Sequence, residues 1–354
     1  MMDRDINSLV RTSVRDMKSY TTETTNKLDM STNANLVGVN PVCKKVLTKL
    51  AKSDLSQYPT LHSDDLRNAL AKKYRYKPEN FNIGNGSDGL LDLIFKAFIN
   101  PGDSMISPAP SFSMYGFFTR SHLGRAVTIK LKDNFQLDAK KMVDAGGKIT
   151  IICNPNNPTG KCFEEKDIYY ILENARGIVL IDEAYAEFSR KSYVGEIKNY
   201  NNLIITRTFS KAYGLASIRV GYAVADERTI EILDRIKPPY CLNILSETIA
   251  AEALKSNAFL NKTIKTIDTE KRELYKKLKA IGTTPHPSDA NFILVKLPVN
   301  SKTFCKKLEK EGILIKDVGG LPFLENHVRI TVGTKMQNKL LIGKMSKVLV
   351  DVKN

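Results

Sequence analysis

Residues 204–222 read I-I-T-R-T-F-S-K-A-Y-G-L-A-S-I-R-V-G-Y. The apolar run at 203–206 has the length and composition of a buried strand. It opens into a polar turn carrying Ser210 and Lys211, and Arg219 follows eight positions after Lys211. A lysine becomes an imine-forming nucleophile when burial or a nearby cation lowers its pKa from about 10.4. Serine and arginine suit a phosphate, which arginine grips with two parallel bonds. Together they fit a phosphorylated aldehyde held as an imine. The competing reading is a surface Ser-Lys pair beside an unrelated arginine, in a chain with 54 lysines and arginines.

Strands and helices alternate on both sides of this stretch. Residues 149–153 form an apolar run followed by N-P-N-N-P-T-G at 154–160, and 178–181 form another that ends in D-E-A-Y at 182–185. Residues 220–225 read as one more strand, and 164–174 as a helix. Such alternation predicts an α/β fold, a mainly parallel sheet flanked by helices. Open sheets of this kind bind ligands outside the carboxyl ends of their strands. Three strands here end at Asn157, Asp182 and Ser210-Lys211, so three polar groups are expected to converge on one crevice.

Upstream, G-N-G-S-D-G at 84–89 precedes L-L-D-L-I-F-K-A-F, with Ser87 or Asp88 as the expected helix cap. The spacing matches G-x-G-x-x-G. A dinucleotide site also needs a strong strand before it and an acid about 20 residues later. The preceding strand, 81–83, is short, and no acid occurs between Asp103 and Asp133. An anion site at the helix start remains, with Gly86, Ser87 and Asp88 offering backbone N–H groups. A strand at 104–107 is broken by Pro108 and Pro110. It leads to the aromatic cluster at 111–119, where Tyr115 is a candidate to stack on a flat ring.

Helices are expected at 6–15, 41–51 and 64–74, with a polar, irregular stretch from Thr21. After Pro238-Pro239 the pattern changes. One or two long helices occupy 243–272. Strands at 290–295 and 328–332 and helices at 304–311 and 336–350 suggest a smaller α+β domain. The expected division is an N-terminal arm at 1–40, a large ligand-binding domain at 41–245 and a small domain at 246–354.

The chain has 354 residues, 42% hydrophobic and 26% charged, an ordinary globular balance. No apolar run reaches the roughly 20 residues of a membrane span, and the N-terminus lacks an apolar signal core. A soluble cytoplasmic protein is the expectation. The net charge is +16. The lysines are dispersed and not interleaved with aromatic residues, which favours a solvated surface over nucleic-acid binding. Five cysteines without C-x-x-C, and four scattered histidines, indicate neither a disulfide framework nor a metal site.

The ordered set N-P-N-N-P-T-G, I-D-E-A-Y, T-F-S-K-A-Y-G-L-A-S-I-R-V-G-Y and H-V-R-I-T-V-G-T resembles the fold-type I pyridoxal 5'-phosphate (PLP) aminotransferases. Within them it is similar to the histidinol-phosphate aminotransferase family, over nearly the whole chain. The resemblance implies PLP as cofactor and Lys211 as the lysine that forms the imine. It implies Asp182 at the pyridinium nitrogen, with Asn157 and Tyr185 at the phenolic oxygen. Ser210, Arg219 and the amides of Gly86, Ser87 and Asp88 would hold the phosphate, and Tyr115 would stack on the ring. Tyr58 would reach the phosphate in a neighbouring subunit, which implies a homodimer with shared sites. Tyr20 and Arg329 would contact an anionic amino donor, and 2-oxoglutarate would be the acceptor.

The chain departs from the family pattern at four places. N-A-N-L-V-G at 33–38 lacks the family's glutamate, and Gly89 replaces an acid. Ser217 replaces a glycine. Lys316 replaces an arginine, keeping the charge but losing the fork. These changes spare the cofactor residues and bear on the substrate. Histidinol phosphate and aromatic amino acids both remain as donors. A decarboxylase of amino-acid phosphates on the same fold, and a non-enzymatic basic binding protein, are the other readings.

Overall fold

The computed structural model describes residues 5–15, 17 and 26–353; Tyr20 and residues 21–25 of the polar stretch lie outside them. A two-residue strand, β1 (Leu28–Asp29), comes first. The central sheet follows as β2 (Phe81–Asn85), β3 (Ser104–Ala109), β4 (Arg125–Lys130), β5 (Ile149–Cys153), β6 (Ile178–Asp182), β7 (Leu203–Thr208) and β8 (Val220–Ala225). Their order across the sheet is β2-β8-β7-β6-β5-β3-β4. Strands β3 to β7 run parallel, and β8 is antiparallel to both β7 and β2. The fold is thus α/β with a mainly parallel sheet, as expected.

The central strands are apolar throughout because both faces are covered. On β5, β6 and β7, Ile151, Leu180 and Ile204 enter one core with Leu90 and Ile94 of the Gly86–Phe98 helix. Their neighbours Ile152, Ile181 and Ile205 enter the opposite core. Strand β4 has no counterpart among the expected elements. It is an edge strand with a mostly exposed surface, R-A-V-T-I-K, so it carries no apolar run. Strand β3 continues through Pro108, a correction to the expected break. Its ladder to β5 ends at Ile106, and the proline lies beyond that rung.

Two helices, Ile244–Leu254 and Ala258–Ala280, fill the stretch read as one or two. They lead to a second sheet of β9 (Thr284–Pro285), β10 (Phe292–Lys296), β12 (Lys316–Asp317) and β13 (His327–Thr331), in the order β12-β13-β10-β9. The short β11 (Ile313–Leu314) pairs with β1. Helices Ser301–Lys310 and Lys335–Lys353 complete this part. Among the described residues no helix is long and apolar enough to cross a membrane.

Beside the ends of β6 and β7 lies a buried charge cluster. Arg207 donates from Nε and Nη2 to Glu183 Oε2 at 2.8 and 2.7 Å, and from Nη1 to Tyr74 at 2.9 Å and Glu187 at 3.2 Å. Glu183 also accepts from Ser192 Oγ and from the Tyr193 amide. Removing one partner strands a buried charge, which costs about 3–5 kcal/mol. Arg207→Ala is therefore expected to lower the unfolding free energy by about that much. Urea titration followed by circular dichroism measures it, and a loss below about 1 kcal/mol would show that the pair is dispensable.

Candidate active site

Strands β5, β6 and β7 end in register: Cys153 pairs with Asp182, and Asp182 with Thr206. The loops that follow carry Asn157, Tyr185 and Ser210-Lys211, so the three polar groups meet at one edge of the sheet. Asp182 lies on the same face as Leu180 and is buried. Its Oδ2 accepts from the Tyr115 hydroxyl at 2.7 Å; its Oδ1 accepts from the Ala184 amide at 3.2 Å and from Thr206 Oγ1 at 3.3 Å. Burial pushes its pKa up to about 6, against the pull of these donors.

The Lys211 amine donates to the carbonyl of Thr32 at 3.0 Å and lies 6.0 Å from the centroid of the Tyr185 ring. Desolvation, then the charge of Arg329, lower its pKa to about 8; Arg219 adds to this, while Asp88 and Asp182 oppose it. The amine is enclosed by protein charges although Lys211 keeps part of its surface open. The Tyr185 hydroxyl accepts from Asn33 Nδ2 at 3.0 Å, and burial raises its pKa to about 12. The Tyr185 ring meets Phe292 edge-on at 5.1 Å.

The helix Gly86–Phe98 starts at Gly86, before both expected caps, Ser87 and Asp88. Asn85 precedes it and makes no side-chain cap bond, so Ser87 and Asp88 lie inside the first turn. An uncapped first turn leaves N–H groups for an anion. Gly86 has φ +75°, and a Cβ there would stand 2.5 Å from Arg219 Nη2. A Cβ on Gly221 would stand 2.6 Å from the Ser87 nitrogen. These two glycines let β8 and the guanidinium close on the helix start. Arg219 pairs with Asp88 at 3.3 Å, both half exposed, a weak contact that an anion can replace. The Ser210 hydroxyl accepts from Thr208 Oγ1 at 2.9 Å.

From the second sheet, Arg329 on β13 donates to Asn157 Oδ1 at 2.6 Å and to the carbonyl of Ser31, and it lies over the Phe292 ring at 5.5 Å. Asn157 thus spends its carbonyl on Arg329 and keeps its amide as a donor. Lys316 on β12 is the register partner of Arg329 and is exposed.

Of the other expected residues, one stands apart from this group, one lies outside the described residues and one is engaged otherwise. Tyr58 is 80% exposed and stacks on Tyr240 at 4.7 Å. Tyr20 lies outside the described residues. Tyr115 is 1% exposed and spends its hydroxyl on Asp182. Its ring has no open face to stack on a ligand, which corrects that expectation. Phe112, only half buried and edge-on to Tyr115 at 5.4 Å, has the freer face. Sequence reasoning also passed over Asn33, Thr206 and Thr208. Asn33 lies in the altered N-A-N-L-V-G segment, where only the missing acid drew notice.

The donor set suits PLP at each point. The glycine cradle, the uncapped turn, Arg219 and Ser210 suit the phosphate; a buried carboxylate suits a pyridinium; a destabilised ammonium suits an imine. Lys211 loses its proton sooner folded than unfolded. Between pH 8 and about 10.5 the unfolded chain holds more protons, so this group's contribution to stability rises with pH there. In the ligand-free protein, amine-directed labelling of Lys211 is expected to rise with a midpoint near pH 8. Mass spectrometry of the labelled peptide reads it, and a midpoint at about 10 would mean that the ammonium is not destabilised.

Residues 25–345 match the family model described as aminotransferase class I and II. The histidinol-phosphate aminotransferase of Caldanaerobacter subterraneus subsp. tengcongensis is 36% identical over 351 residues, covering 97% of this chain and 99% of that one. That of Pyrococcus furiosus is 38% identical over 308 residues, covering 86% and 87%. The crystal structure of histidinol-phosphate aminotransferase from Sinorhizobium meliloti in complex with pyridoxal-5'-phosphate superposes with a TM-score of 0.87 at 24% identity, over 92% of this chain and 91% of that one. With nearly the whole length matched and the strand-end residues gathered as described, the chain belongs to the class I and II aminotransferases.

Proposed function

We propose that this aminotransferase uses PLP to move the amino group of histidinol phosphate to 2-oxoglutarate. The observation that carries the reading is the meeting of Lys211, Asp182, Tyr185 and Asn157 at one sheet edge, with Arg329 closing it from the second sheet. The name shared by relatives over a third identical along most of the chain supports the donor.

The phosphate of the cofactor would lie against the amides of Gly86, Ser87 and Asp88, the Ser210 hydroxyl and the Arg219 guanidinium. Asp182 would face the ring nitrogen, Tyr185 and the Asn157 amide the phenolic oxygen, and Phe112 the ring plane. When bound, PLP supplies an aldehyde for the donor's amino group and a ring that accepts the electrons left when the Cα proton departs. Asp182 accepts from three donors in a desolvated site, where its carboxylate charge would act strongly on a protonated ring nitrogen. Lys211, half neutral near pH 8, would hold the aldehyde through its amine and, once released by the donor's amino group, would take the Cα proton at Nζ.

Arg329 and its strand partner Lys316 would hold the anionic end of the donor. The cofactor residues fall within 41–245 and these two within 246–354, the large and small domains of the proposal. In a homodimer, exposed Tyr58 would serve the phosphate of the second subunit.

Lys211→Ala is expected to abolish turnover of histidinol phosphate, measured as 2-oxoglutarate-dependent glutamate formation. Preference for phenylalanine or tyrosine, or release of carbon dioxide from an amino-acid phosphate, would overturn the substrate assignment. Arg329→Gln is expected to raise KM for histidinol phosphate by about a hundredfold, the loss of one charge-assisted pair. An equal loss of PLP content would place Arg329 among the cofactor contacts instead.

A further inference from the structure

A second cationic cleft, of about 360 Å3, opens between the two sheets. Lys130 and Lys132 reach it from the end of β4, and Lys161 from the loop after β5. Lys296 on β10, His286 after β9 and His327 on β13 face it from the other side. Asp133 is the sole carboxylate among its described lining residues, and it is fully exposed, 4.0 Å from Lys130. Lys132 leans to Asp167 at 3.8 Å. Lys161 and Lys296 have no carboxylate within ion-pair distance among the described residues.

The two imidazoles stack with centroids 5.3 Å apart, and their Nε2 atoms are 3.2 Å apart. His327 Nδ1 lies 2.9 Å from the carbonyl of Glu325, which only accepts, so Nδ1 carries the proton. Neutral His327 then accepts at Nε2, and His286 donates its Nε2–H. Nδ1 of His286 is left as the atom to be protonated. Burial, then His327, Lys296 and Lys161, lower the pKa of His286 to about 4. Burial and Lys296 lower that of His327, against its bonds to residues 324 and 325. The spot repels a further cation, and that field is what an anion meets as attraction.

The lining chemistry narrows the class of anion. No arginine lines the cleft among the described residues. Carboxylates are best gripped by the planar guanidinium fork, whereas lysines act as point charges that suit phosphate oxygens in several directions. Two unpaired ammonium groups, two weakly paired ones and a protonatable imidazole exceed what a single phosphate balances. Phe323, exposed at the mouth beneath Lys130 at 4.6 Å, offers a surface for an organic group.

We propose that this cleft binds a small polyphosphate, two or more linked phosphate groups, through Lys161, Lys296 and the His286–His327 pair. Bound there, the anion bridges the two sheets. It sits two residues along β13 from Arg329, yet uses none of the residues assigned to amino-group transfer. The bound anion favours the His286 cation over the neutral imidazole that burial and the neighbouring cations impose.

The test is calorimetric titration of inorganic pyrophosphate, and separately of ADP, into the PLP-loaded enzyme. Binding of both is expected, weakening about tenfold in Lys161→Ala and again in Lys296→Ala. Weaker binding is expected in His286→Asn as well. Tighter binding of ADP assigns the site to nucleotides, and equal binding to any linked phosphate. Unchanged PLP absorbance and circular dichroism establish that the variants fold. Binding weaker than about 1 mM overturns the proposal. So does binding that survives loss of both lysines, or that is lost in Arg329→Gln, which would locate the anion at the amino-transfer site. Because the readout is binding, failure here leaves the proposed reaction standing.

Discussion

The pair Arg207–Glu183 is the constraint on which the site depends. Glu183 follows Asp182 directly at the end of β6, and Arg207 lies on the neighbouring β7, three residues before Ser210. Both are buried, and desolvating two charges costs more than a loose contact returns. Nearly every polar atom is therefore satisfied: Arg207 by Glu183, Glu187 and Tyr74, and Glu183 by Ser192 and the Tyr193 amide. A pair with so few acceptable geometries holds the two strand ends in one register. That register sets Asp182 opposite Thr206 and brings the Ser210-Lys211 turn to the same edge.

Next to this rigid pair stands a pair of groups kept off balance. Asp182 is pushed up to about 6 and Lys211 down to about 8, both first by burial. Each is poised nearer neutrality than in water, which suits groups that exchange charge with a ligand. The second sheet adds Arg329, whose charge is the next cause of the lysine's shift. The site is thus an electrostatic product of two sheets. The polar segment at 31–35 is threaded between them, with Ser31 on Arg329, Thr32 on Lys211 and Asn33 on Tyr185.

Much of the fold was legible because its signals are local. Strands β5 and β8 match their expected bounds, since apolar runs closed by turn residues are read within a few positions. The edge strand β4 escaped notice because exposure removes the apolar signal itself. The cap of the Gly86–Phe98 helix was misjudged because an uncapped start looks like a capped one when serine and aspartate follow. Tyr115 and Phe112 are three residues apart in one aromatic cluster. Composition cannot say which ring turns inward; the face of the Met114–Ser121 helix that packs beneath Asp182 decides it.

The sequence alone determined the α/β alternation, the family likeness and the polar residues that end the central strands. These follow from run length, turn chemistry and residue order, all carried along the chain. Only the tertiary structure decided which side chains meet. Tyr115 finds Asp182 across 67 residues, Asn33 finds Tyr185 across 152, and Arg329 finds Asn157 across 172. A hydrogen bond acts over about 3 Å, so its partner depends on sheet register and on how two sheets pack. The same holds for the lysines and histidines of the second cleft, which are scattered in sequence and gathered only where the sheets face each other.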